Sequence, residues 1–379
     1  MVSPTGPRLA LVHHWLVTRR GGERCLETLA ELLPGADLFT LVHDAAACPA
    51  PPGLGQVHTT ALQRWGFGRR HFRAFLPLFS RFYGGLDLSG YDLVVTSDAS
   101  LAKTVKVPQG CRHVCYCYSP VRYAWDLSEL YLERSVPAWA RPLARAVLAA
   151  VRRTDYRAAQ KVDHFVAISQ TVAERIERCY GRPSVTIYPP TDVDFFCPAE
   201  NEAHAPRAGD NSRPYLLFGQ AVPYKRFDDA VLACRALDRP LIVSGGGPDF
   251  ARLADLAGPQ TTFISRPSDQ EVRSLYQQCR ALLFPGEEDF GLVPVEAMAC
   301  GRPVIALGRG GATETIVHEQ TGILTASSGA DVLLDGIRRF EAWERHFEPS
   351  AAVARAALFS LESHRRAMGL FLGDLQLSK

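Results

Sequence analysis

Short apolar runs alternate with helix-like patterns along most of the chain. Each run has about four to six mainly apolar residues, a pattern typical of buried parallel strands. The stretches between them carry apolar residues three and four positions apart, which predicts amphipathic helices. The predicted strands occupy residues 9–13, 38–42, 93–97, 113–118, 165–168, 185–188, 215–219, 241–244, 262–265, 281–284 and 304–307. Regular alternation of strand and helix predicts an α/β protein with parallel sheets.

A polar stretch interrupts this alternation in the middle of the chain. Residues 198–213, PAENEAHAPRAGDNSR, have no apolar periodicity and predict a linker. The alternation starts again at Tyr215, and after Ile323 the pattern is helical to the end. We therefore expect two α/β domains, residues 1–197 and 198–355, and a C-terminal helix within residues 356–379.

Residues 281–316 are the most informative stretch, a predicted strand–loop–helix–strand unit. The apolar strand 281–284 is followed by a polar loop and by a helix over residues 292–300. In a doubly wound sheet, ligands bind where such loops leave the carboxyl ends of the strands. The loop carries Glu288 and the helix carries Glu296, so both carboxylates are candidate binding groups.

The start of this helix suits a phosphate group. Phe290, Gly291 and Leu292 can offer backbone N–H groups there, and Gly291 lets another molecule approach the backbone closely. Glu296, one turn further on, is placed to take both hydroxyls of a ribose, while Glu288 would face whatever is attached beyond the phosphates. A nucleotide sugar fits this arrangement. The alternative is a solvated acidic loop and a carboxylate that only stabilises the helix start.

Two other places suggest contact with a ligand. Gly21 and Gly22 stand where the first predicted loop meets its helix, but they do not form a dinucleotide fingerprint, and a plain tight turn explains them equally well. Lys225 stands where the loop after strand 215–219 enters the next helix. Because the chain has only five lysines among its 42 basic residues, a lysine here favours a point charge aimed at phosphate over a solvated helix-start side chain.

Residues 64–83, RWGFGRRHFRAFLPLFSRFY, combine seven aromatic residues with five arginines. Such a segment can lie in a membrane interface with its arginines near anionic head groups. Two packed helices whose arginine stems cover apolar surface are the alternative. The helical stretch 137–153 is a second candidate for the same kind of contact. Peripheral contact with an anionic membrane is therefore one hypothesis for these segments.

Composition and charge exclude several classes of protein. Basic and acidic residues nearly balance, 42 against 40, so no nucleic-acid partner is indicated. No apolar run approaches the roughly 18 residues of a transmembrane helix, and residues 1–14 lack the apolar core of a signal peptide. Ten cysteines without such a signal predict reduced thiols and a cytoplasmic protein.

Two patterns resemble metal sites only superficially. Cys111, Cys115 and Cys117 are closely spaced, but the last two fall on a predicted buried strand. Asp192 and Asp194 imitate the Asp-x-Asp metal motif of some sugar transferases, but they lie in a polar turn. No metal site and no cofactor are therefore predicted.

The motifs now support a resemblance to a known family. The chain resembles the retaining glycosyltransferases of family 4, and among them the bacterial mannosyltransferase-like members. The residues that carry the resemblance are GGERCLETLAELLPGADLFTL, GYDLVVTSDAS, CYSPVRYAWD, DHFVAIS, IYPPTDVDFF, VPYKRFD and PGEEDFGLVPVEAMACGRPVIALGRGGATET. It implies the GT-B fold: two Rossmann-like doubly wound parallel-sheet domains facing a central cleft, with the C-terminal helix crossing back to the first domain.

The resemblance also implies roles for individual residues. Glu296 matches the carboxylate that binds the donor ribose, Glu288 the one that faces the transferred sugar, and Lys225 the basic group on the donor diphosphate. Further donor-side positions implied by the match are Gly21, Gly22, Gln220, Phe290, Gly291, Leu292, Gly310, Gly311 and Glu314.

Two positions depart from the usual family pattern. Gln220 stands where many members have an arginine, which implies a diphosphate site with one positive charge fewer. Tyr118 stands where many members have a histidine near the donor sugar, so the contact on the sugar side is a different one. We treat Tyr118, Glu288 and Lys225 as the candidate catalytic residues.

The function implied is metal-independent transfer of a hexose, with retention, onto a glycan or lipid-linked saccharide in surface polysaccharide assembly. GDP-mannose is the first donor that the resemblance suggests, followed by UDP-sugars. Two alternatives stay open: a GT-B nucleotide-sugar epimerase, which needs no acceptor, and a non-catalytic sugar-nucleotide-binding partner, which never turns over.

Overall fold

The computed structural model describes residues 6–19, 21–200 and 210–377. Its contacts divide the chain into two compact units. Unit 1 comprises Met1–Tyr188 together with Ala367–Lys379, and unit 2 comprises Pro189–Arg366. Each unit is built around one parallel sheet.

Unit 1 has a seven-stranded sheet in the order β3-β2-β1-β4-β5-β6-β7, and every recorded pairing in it is parallel. Its strands are β1 (Leu9–His13), β2 (Asp37–Thr40), β3 (Val57–Thr59), β4 (Leu93–Asp98), β5 (Arg112–Cys117), β6 (His164–Ala167) and β7 (Ser184–Thr186). Its α-helices are α1 (Gly21–Leu32), α2 (Gly66–Arg70), α3 (Phe79–Tyr83), α4 (Ser128–Ser135), α5 (Arg141–Ala159) and α6 (Gln170–Tyr180).

Unit 2 has a six-stranded parallel sheet in the order β10-β9-β8-β11-β12-β13. Its strands are β8 (Tyr215–Gln220), β9 (Leu241–Gly246), β10 (Thr261–Ser265), β11 (Leu282–Phe284), β12 (Val304–Leu307) and β13 (Gly322–Thr325). The remaining helices are α7 (Phe227–Leu237), α8 (Phe250–Leu256), α9 (Asp269–Gln278), α10 (Leu292–Ala299), α11 (Ala312–Thr315), α12 (Ala330–Trp343), α13 (Pro349–Ala357) and α14 (Leu361–Leu377), whose last residues belong to unit 1.

Each unit has its own apolar core. In unit 1, Val12, Val94 and Tyr83 are among the fully buried residues of one cluster. In unit 2, Leu217 and Leu283 lie in a second cluster. Burial of such side chains stabilises each unit by about 1.5–3 kcal/mol per large residue, so each sheet is held by its own apolar contacts.

The predicted doubly wound α/β architecture is confirmed, with two differences among the strands. β3 has three residues and pairs only with β2, so it forms through its neighbour rather than through a sequence pattern. The helical pattern expected after Ile323 begins only after β13. Gly322 explains this strand, because a side chain there would meet the Val304 carbonyl of β12; only glycine lets the two backbones approach.

Individual residues at the ends and on the faces of these elements have identifiable positions. Ser169 caps α6, with its hydroxyl accepting a hydrogen bond from the Val172 N–H at 3.1 Å. Cys115 and Cys117 are buried in β5. Gly21, expected in the loop before the first helix, instead begins α1. Most of the expected linker, residues 201–209, lies outside the described residues.

The aromatic segment 64–83 is broken into short pieces. α2 and α3 are separated by a 3-10 helix, Phe72–Leu78, that contains Pro77, so the segment is not one continuous helix. Phe72 and Phe79 are buried in the core of unit 1. The packing interpretation therefore accounts for part of the segment. Among the described residues, no helix combines the length and apolar character required to cross a bilayer.

Candidate functional site

The topology of unit 2 places a crevice between β8 and β11. The chain leaves β8 towards β9 and β10 on one side, and leaves β11 towards β12 and β13 on the other. Loops that diverge in this way open a space at the carboxyl ends of the two central strands, where α/β proteins bind ligands. Lys225 follows β8 and Glu288 follows β11, so the predicted residues flank this switch point.

Lys225 ends a short 3-10 turn, Pro223–Lys225, between β8 and α7. The next residue, Arg226, has a left-handed backbone with φ of 52°, which turns the chain into α7. Its guanidinium pairs with Asp229 in the first turn of that helix at 2.5 Å. The expected position of Lys225 at the entry to a helix is therefore confirmed.

Lys225 and Glu288 form an ion pair. The Lys225 Nζ lies 2.7 Å from the Glu288 Oε1. The two side chains are 14% and 19% exposed, so both are largely shielded yet still reachable from solvent. A partly desolvated charge pair at a switch point is suited to redistribute its contacts when a phosphate arrives.

Glycine makes this pair possible at two positions. Gly219, with φ of 134°, lies so close to Lys225 that a side chain there would stand 3.3 Å from Nζ. A side chain on Gly286 would stand 2.5 Å from the Lys225 Cα. The loop after β11 therefore lies directly on the turn that carries Lys225, and no larger residue fits between them.

A second loop supports the one that carries Glu288. The Gly311 N–H donates to the Glu288 carbonyl at 2.9 Å. A side chain on Gly311 would stand 2.2 Å from the Phe290 Cα, and Gly310 has φ of 64°. These two glycines therefore lie against the acidic loop and hold its backbone.

The helix α10 begins beside this loop with an open amino end. Gly291, at φ of 87°, precedes Leu292 and provides no side-chain cap. The first backbone N–H groups of a helix have no partner within the helix and favour an anion. The Phe290 side chain is buried and stacks edge-on against Phe359, with ring centroids 5.4 Å apart, so this residue can offer a ligand only its backbone.

Glu296 lies one turn into α10 and is nearly buried, with 5% exposure. Its Oε2 accepts a hydrogen bond from the Tyr276 hydroxyl of α9 at 2.9 Å. A fully buried phenol orients this carboxylate. Tyr276 was not predicted from the sequence, because only the packing of α9 against α10 brings it there.

Glu314 and Gln220 complete the predicted donor-side residues of unit 2. Glu314 lies in the short helix α11, whose last carbonyls, on Glu314 and Thr315, accept hydrogen bonds from the Arg355 guanidinium. Gln220 is the last residue of β8 and its side chain is exposed. Arg355 was not predicted, since it is 41 residues from Glu314 in the chain.

Unit 1 has a polar network at its own switch point, between β1 and β4. The Tyr118 hydroxyl donates to the Gly22 carbonyl at 3.0 Å and lies 2.8 Å from the Ser97 Oγ. The Ser97 Oγ lies 2.9 Å from the His13 Nδ1. Burial raises the pKa of Tyr118 well above its ordinary value, so the phenol stays protonated and can donate. The predicted residues Tyr118 and Gly22 are therefore neighbours.

The same network contains a group that could hold a metal ion. His13, His14 and Glu23 each offer one ligand atom within 4.8 Å of the others, and all three are buried. The His13 Nε2 lies 3.6 Å from the Glu23 Oε1. Burial lowers the pKa of His14 to about 3, so its imidazole is neutral, the form that binds metals. Two histidines and a carboxylate are a donor set that Zn²⁺ and related ions accept.

This cluster was not predicted. His13 and His14 directly follow the apolar part of the first strand, and that position could have marked them as site residues. Asp192 and Asp194, the weak metal pattern of the sequence, lie elsewhere, and the Asp192 Oδ1 accepts a hydrogen bond from the Phe195 N–H at 3.0 Å. The Asp192 carboxylate therefore stabilises the turn in which it lies.

The fold and the two switch-point sites define a class of protein. Two Rossmann-like parallel-sheet units with this topology are the GT-B type of glycosyltransferase fold. Residues 19–195 match the family model described as Glycosyltransferase Family 4, and residues 200–357 match the model described as Glycosyl transferases group 1. Together the two matches take in most of the chain, and both models describe glycosyltransferases.

Curated relatives share part of this sequence. The chain is similar to the D-inositol 3-phosphate glycosyltransferases of Mycobacterium bovis (strain BCG / Pasteur 1173P2) and Mycobacterium tuberculosis (strain ATCC 25618 / H37Rv), with 30% identity over 247 residues in each case. The alignment covers 57% of this chain and 51% of each relative. The chain thus spans about half the length of the curated relatives it matches.

Solved structures share the fold. Sucrose-phosphate synthase from Thermosynechococcus elongatus superimposes with a TM-score of 0.72 and 19% identity, covering 98% of this chain and 100% of that one. Anabaena HepE in complex with UDP-glucose superimposes with a TM-score of 0.69 and 17% identity, covering 97% and 99%. At such identities the likeness concerns the fold alone.

Proposed function

We propose that this protein is a retaining glycosyltransferase that moves a hexose from a nucleoside diphosphate sugar to a glycan or lipid-linked saccharide. The observation that carries the proposal is the Lys225–Glu288 pair, with its Nζ–Oε1 distance of 2.7 Å, at the switch point of unit 2. The two family matches support glycosyl transfer as the reaction class.

In this proposal Lys225 binds the donor diphosphate. A phosphate that enters the crevice competes with Glu288 for the ammonium group, and Glu288 holds that group in place beforehand. The open amino end of α10 adds backbone N–H groups from Gly291 and Leu292. Because Gln220 carries no charge, Lys225 is the main positive side chain that we assign to the diphosphate.

Glu296 is assigned to the donor ribose. A buried carboxylate held by the Tyr276 phenol is already oriented, so it loses little freedom when it accepts the ribose hydroxyls. The buried position also excludes water from those hydrogen bonds, which strengthens them.

The proposed transfer needs no metal ion. The bond between the anomeric carbon and the leaving phosphate breaks while the acceptor hydroxyl bonds to the same face of that carbon, and the leaving phosphate takes the proton of the acceptor. Negative charge grows on the phosphate during this step, so the protein contributes mainly by stabilising it through Lys225 and backbone N–H groups. Glu288 faces the transferred sugar in this assignment.

Two donors have specific support. The resemblance of the sequence to mannosyltransferase-like members favours GDP-mannose. Solved structures of the same fold include Anabaena HepE in complex with UDP and with UDP-glucose, so we include uridine donors in the proposal. We place GDP-mannose first because its support comes from the sequence of this chain, and UDP-sugars second.

A panel of nucleotide sugars measured by thermal shift tests the donor. A donor at 100 times its dissociation constant stabilises the native state by about 2.7 kcal/mol, so the true donor should give the largest rise in melting temperature. GDP, UDP, GDP-mannose, UDP-glucose and UDP-galactose form the minimum panel. The Lys225→Ala variant is the control, and its shift with the same donor should be smaller.

Turnover distinguishes the proposal from its alternatives. With the selected donor and a saccharide acceptor, nuclear magnetic resonance should show a product whose anomeric configuration equals that of the donor. Conversion of the donor without an acceptor would identify an epimerase instead. Binding of a donor with no turnover on any acceptor of a broad panel would favour a non-catalytic partner.

A further inference from the structure

An open apolar groove lies within unit 1 and adjoins the polar network of His13 and Tyr118 at Trp15, whose ring centroid lies 4.5 Å from that of His14. It has a volume of about 660 Å³ and is bounded by residues of the 3-10 helix Phe72–Leu78 and of helices α4 and α5. Its lining includes Leu76, Leu132, Leu143, Ala144, Val147 and Leu148. This volume lies in the range of pockets that hold small molecules.

The lining offers a ligand almost no hydrogen bonds. One of its few polar groups, the Tyr123 hydroxyl, already lies 2.8 Å from the Ser100 Oγ. A sugar, nucleotide or peptide would lose water here without gaining hydrogen-bond partners, which is unfavourable for each polar group. A hydrocarbon chain loses nothing of this kind and gains from burial. The chemistry of the groove therefore selects an alkyl or isoprenoid chain.

The surroundings of the groove distinguish a membrane lipid from a free apolar molecule. Leu143 lines the groove and is 70% exposed. Trp139 is 86% exposed and lies in the 3-10 helix Ala138–Ala140, next to the lining residue Ala140. Residues 61–83 and 137–153 contain no acidic side chain, and the five arginines of 64–83 are exposed. The acidic side chains of α4 are Glu129 and Glu133, and Glu129 pairs with Arg145 of α5 at 2.8 Å. Arg73, from residues 64–83, lines the groove. An exposed apolar surface beside arginine is typical of proteins that meet anionic head groups.

A second copy of this chain is a poorer occupant. In a symmetric dimer the same patch faces itself, so the arginines of 64–83 would meet the identical arginines of the partner. Like charges that face each other across an interface oppose association. A lipid with a phosphate head group instead places opposite charge beside the guanidinium groups.

We infer that this groove binds the hydrocarbon chain of a lipid whose phosphate head group lies among the arginines of residues 64–83. The apolar rim at Trp139 and Leu143 would reach the membrane from which the lipid is taken. The identification of this lipid as the carrier of the sugar acceptor rests on the proposed function. Binding of the lipid in the groove is independent of that function.

Calorimetric titration with dihexanoyl phosphatidylglycerol, kept below its micelle concentration, tests the inference. Leu143→Glu places a carboxylate at the mouth of the groove on an exposed position, so folding is preserved, and we expect at least ten-fold weaker binding. Leu370→Glu is the matched control: Leu370 is 66% exposed, belongs to unit 1 and does not line the groove, so binding should be unchanged.

A second pair of variants compares a tryptophan inside the groove with a tryptophan outside it. Ala144→Trp should also weaken binding at least ten-fold, whereas Ala146→Trp, on the same helix but outside the lining, should not. Glycerol phosphate, the head group alone, should show no measurable binding. Dihexanoyl phosphatidylcholine, with the same chains and no net charge, should bind more weakly than the anionic lipid.

Three results would overturn the inference: wild-type affinity in both Leu143→Glu and Ala144→Trp, binding of glycerol phosphate as tight as that of the lipid, or equal binding of the neutral lipid. The assay contains no nucleotide sugar. Its failure would therefore leave the proposed sugar transfer standing, and a failure of sugar transfer would leave lipid binding standing.

Discussion

Lys225 carries the positive charge that we assign to the diphosphate of the proposed donor. Its ammonium is paired with the Glu288 carboxylate, with Nζ 2.7 Å from Oε1. Gly219 and Gly286 leave no room for a larger neighbour beside it. The surrounding backbone therefore determines where this charge lies, and a substitution at 225 should change chemistry more than folding.

We predict that Lys225→Ala lowers the rate constant at saturating donor by roughly 10²–10³-fold, the typical effect of losing one group that stabilises developing charge. The contact strengthens as the phosphate leaves, so the Michaelis constant alone should not account for the loss. Lys225→Arg should recover little, because a planar guanidinium does not replace a compact ammonium. Arg introduced at position 220 in the Ala variant should restore part of the rate. Steady-state kinetics on these proteins is the measurement. Normal turnover of Lys225→Ala would show that groups other than Lys225 stabilise the leaving phosphate.

Glu296 should contribute to the affinity of the protein for its donor. A hydrogen bond to a charged group contributes about 1.5–3 kcal/mol, so Glu296→Ala should weaken donor binding by roughly 10- to 150-fold. Glu296→Gln keeps an acceptor for the Tyr276 hydroxyl and serves as the control for folding. Calorimetry measures the affinity for the donor, and denaturant unfolding measures the stability of the variant. Together they separate an effect on donor binding from an effect on folding. Unchanged affinity in a folded Glu296→Ala variant would contradict the ribose assignment.

Among the elements, a buried charge cluster joins β4, α5 and α6 in unit 1. The Lys103 Nζ lies 2.9 Å from the Asp98 Oδ2 and 2.7 Å from the Asp155 Oδ1. Asp155 also accepts the Tyr180 hydroxyl of α6 at 2.7 Å. Burial alone would lower the pKa of Lys103, but Asp155 and Asp98 outweigh it and raise that pKa above its ordinary value. The lysine is therefore charged and holds both carboxylates.

Removal of this lysine should destabilise unit 1 severely. Lys103→Met leaves two buried carboxylates without their cation, and breaking a buried pair in this way costs about 3–5 kcal/mol. Lys106→Met is the matched control, since Lys106 is exposed and three residues away. Urea unfolding followed by circular dichroism measures the difference. Equal midpoints for the two variants would show that Lys103 contributes nothing net.

At the scale of the whole molecule, the proposed chemistry is independent of metal ions. Turnover should therefore survive EDTA, which tests both the weak pattern at Asp192 and the cluster of His13, His14 and Glu23. Activity assays before and after chelation, with metal content measured by mass spectrometry, give the result. Loss of turnover restored by manganese or magnesium would contradict the mechanism and direct attention to the histidine cluster.

Much of the fold was readable from the sequence because its signal is local. A buried parallel strand needs a short apolar run and an amphipathic helix needs spaced apolar residues, and both patterns lie within about 20 consecutive positions. The same holds for the helix cap at Ser169 and for the entry of Lys225 into α7. β3 had no such pattern, and β13 depends on the close approach that Gly322 allows, so both were missed.

The sequence by itself determined which residues are chemically able to bind a nucleotide sugar: Lys225, Glu288 and Glu296 in a strand–loop–helix context. Only the tertiary structure decided their partners. In the structure Glu288 pairs with Lys225, which is 63 positions away in the chain, and the Tyr276 hydroxyl donates to Glu296. His13, Ser97 and Tyr118 lie together at one edge of a sheet. The physical reason is that such contacts depend on which strands become neighbours, and that order follows from the packing of all the apolar faces together rather than from any single stretch.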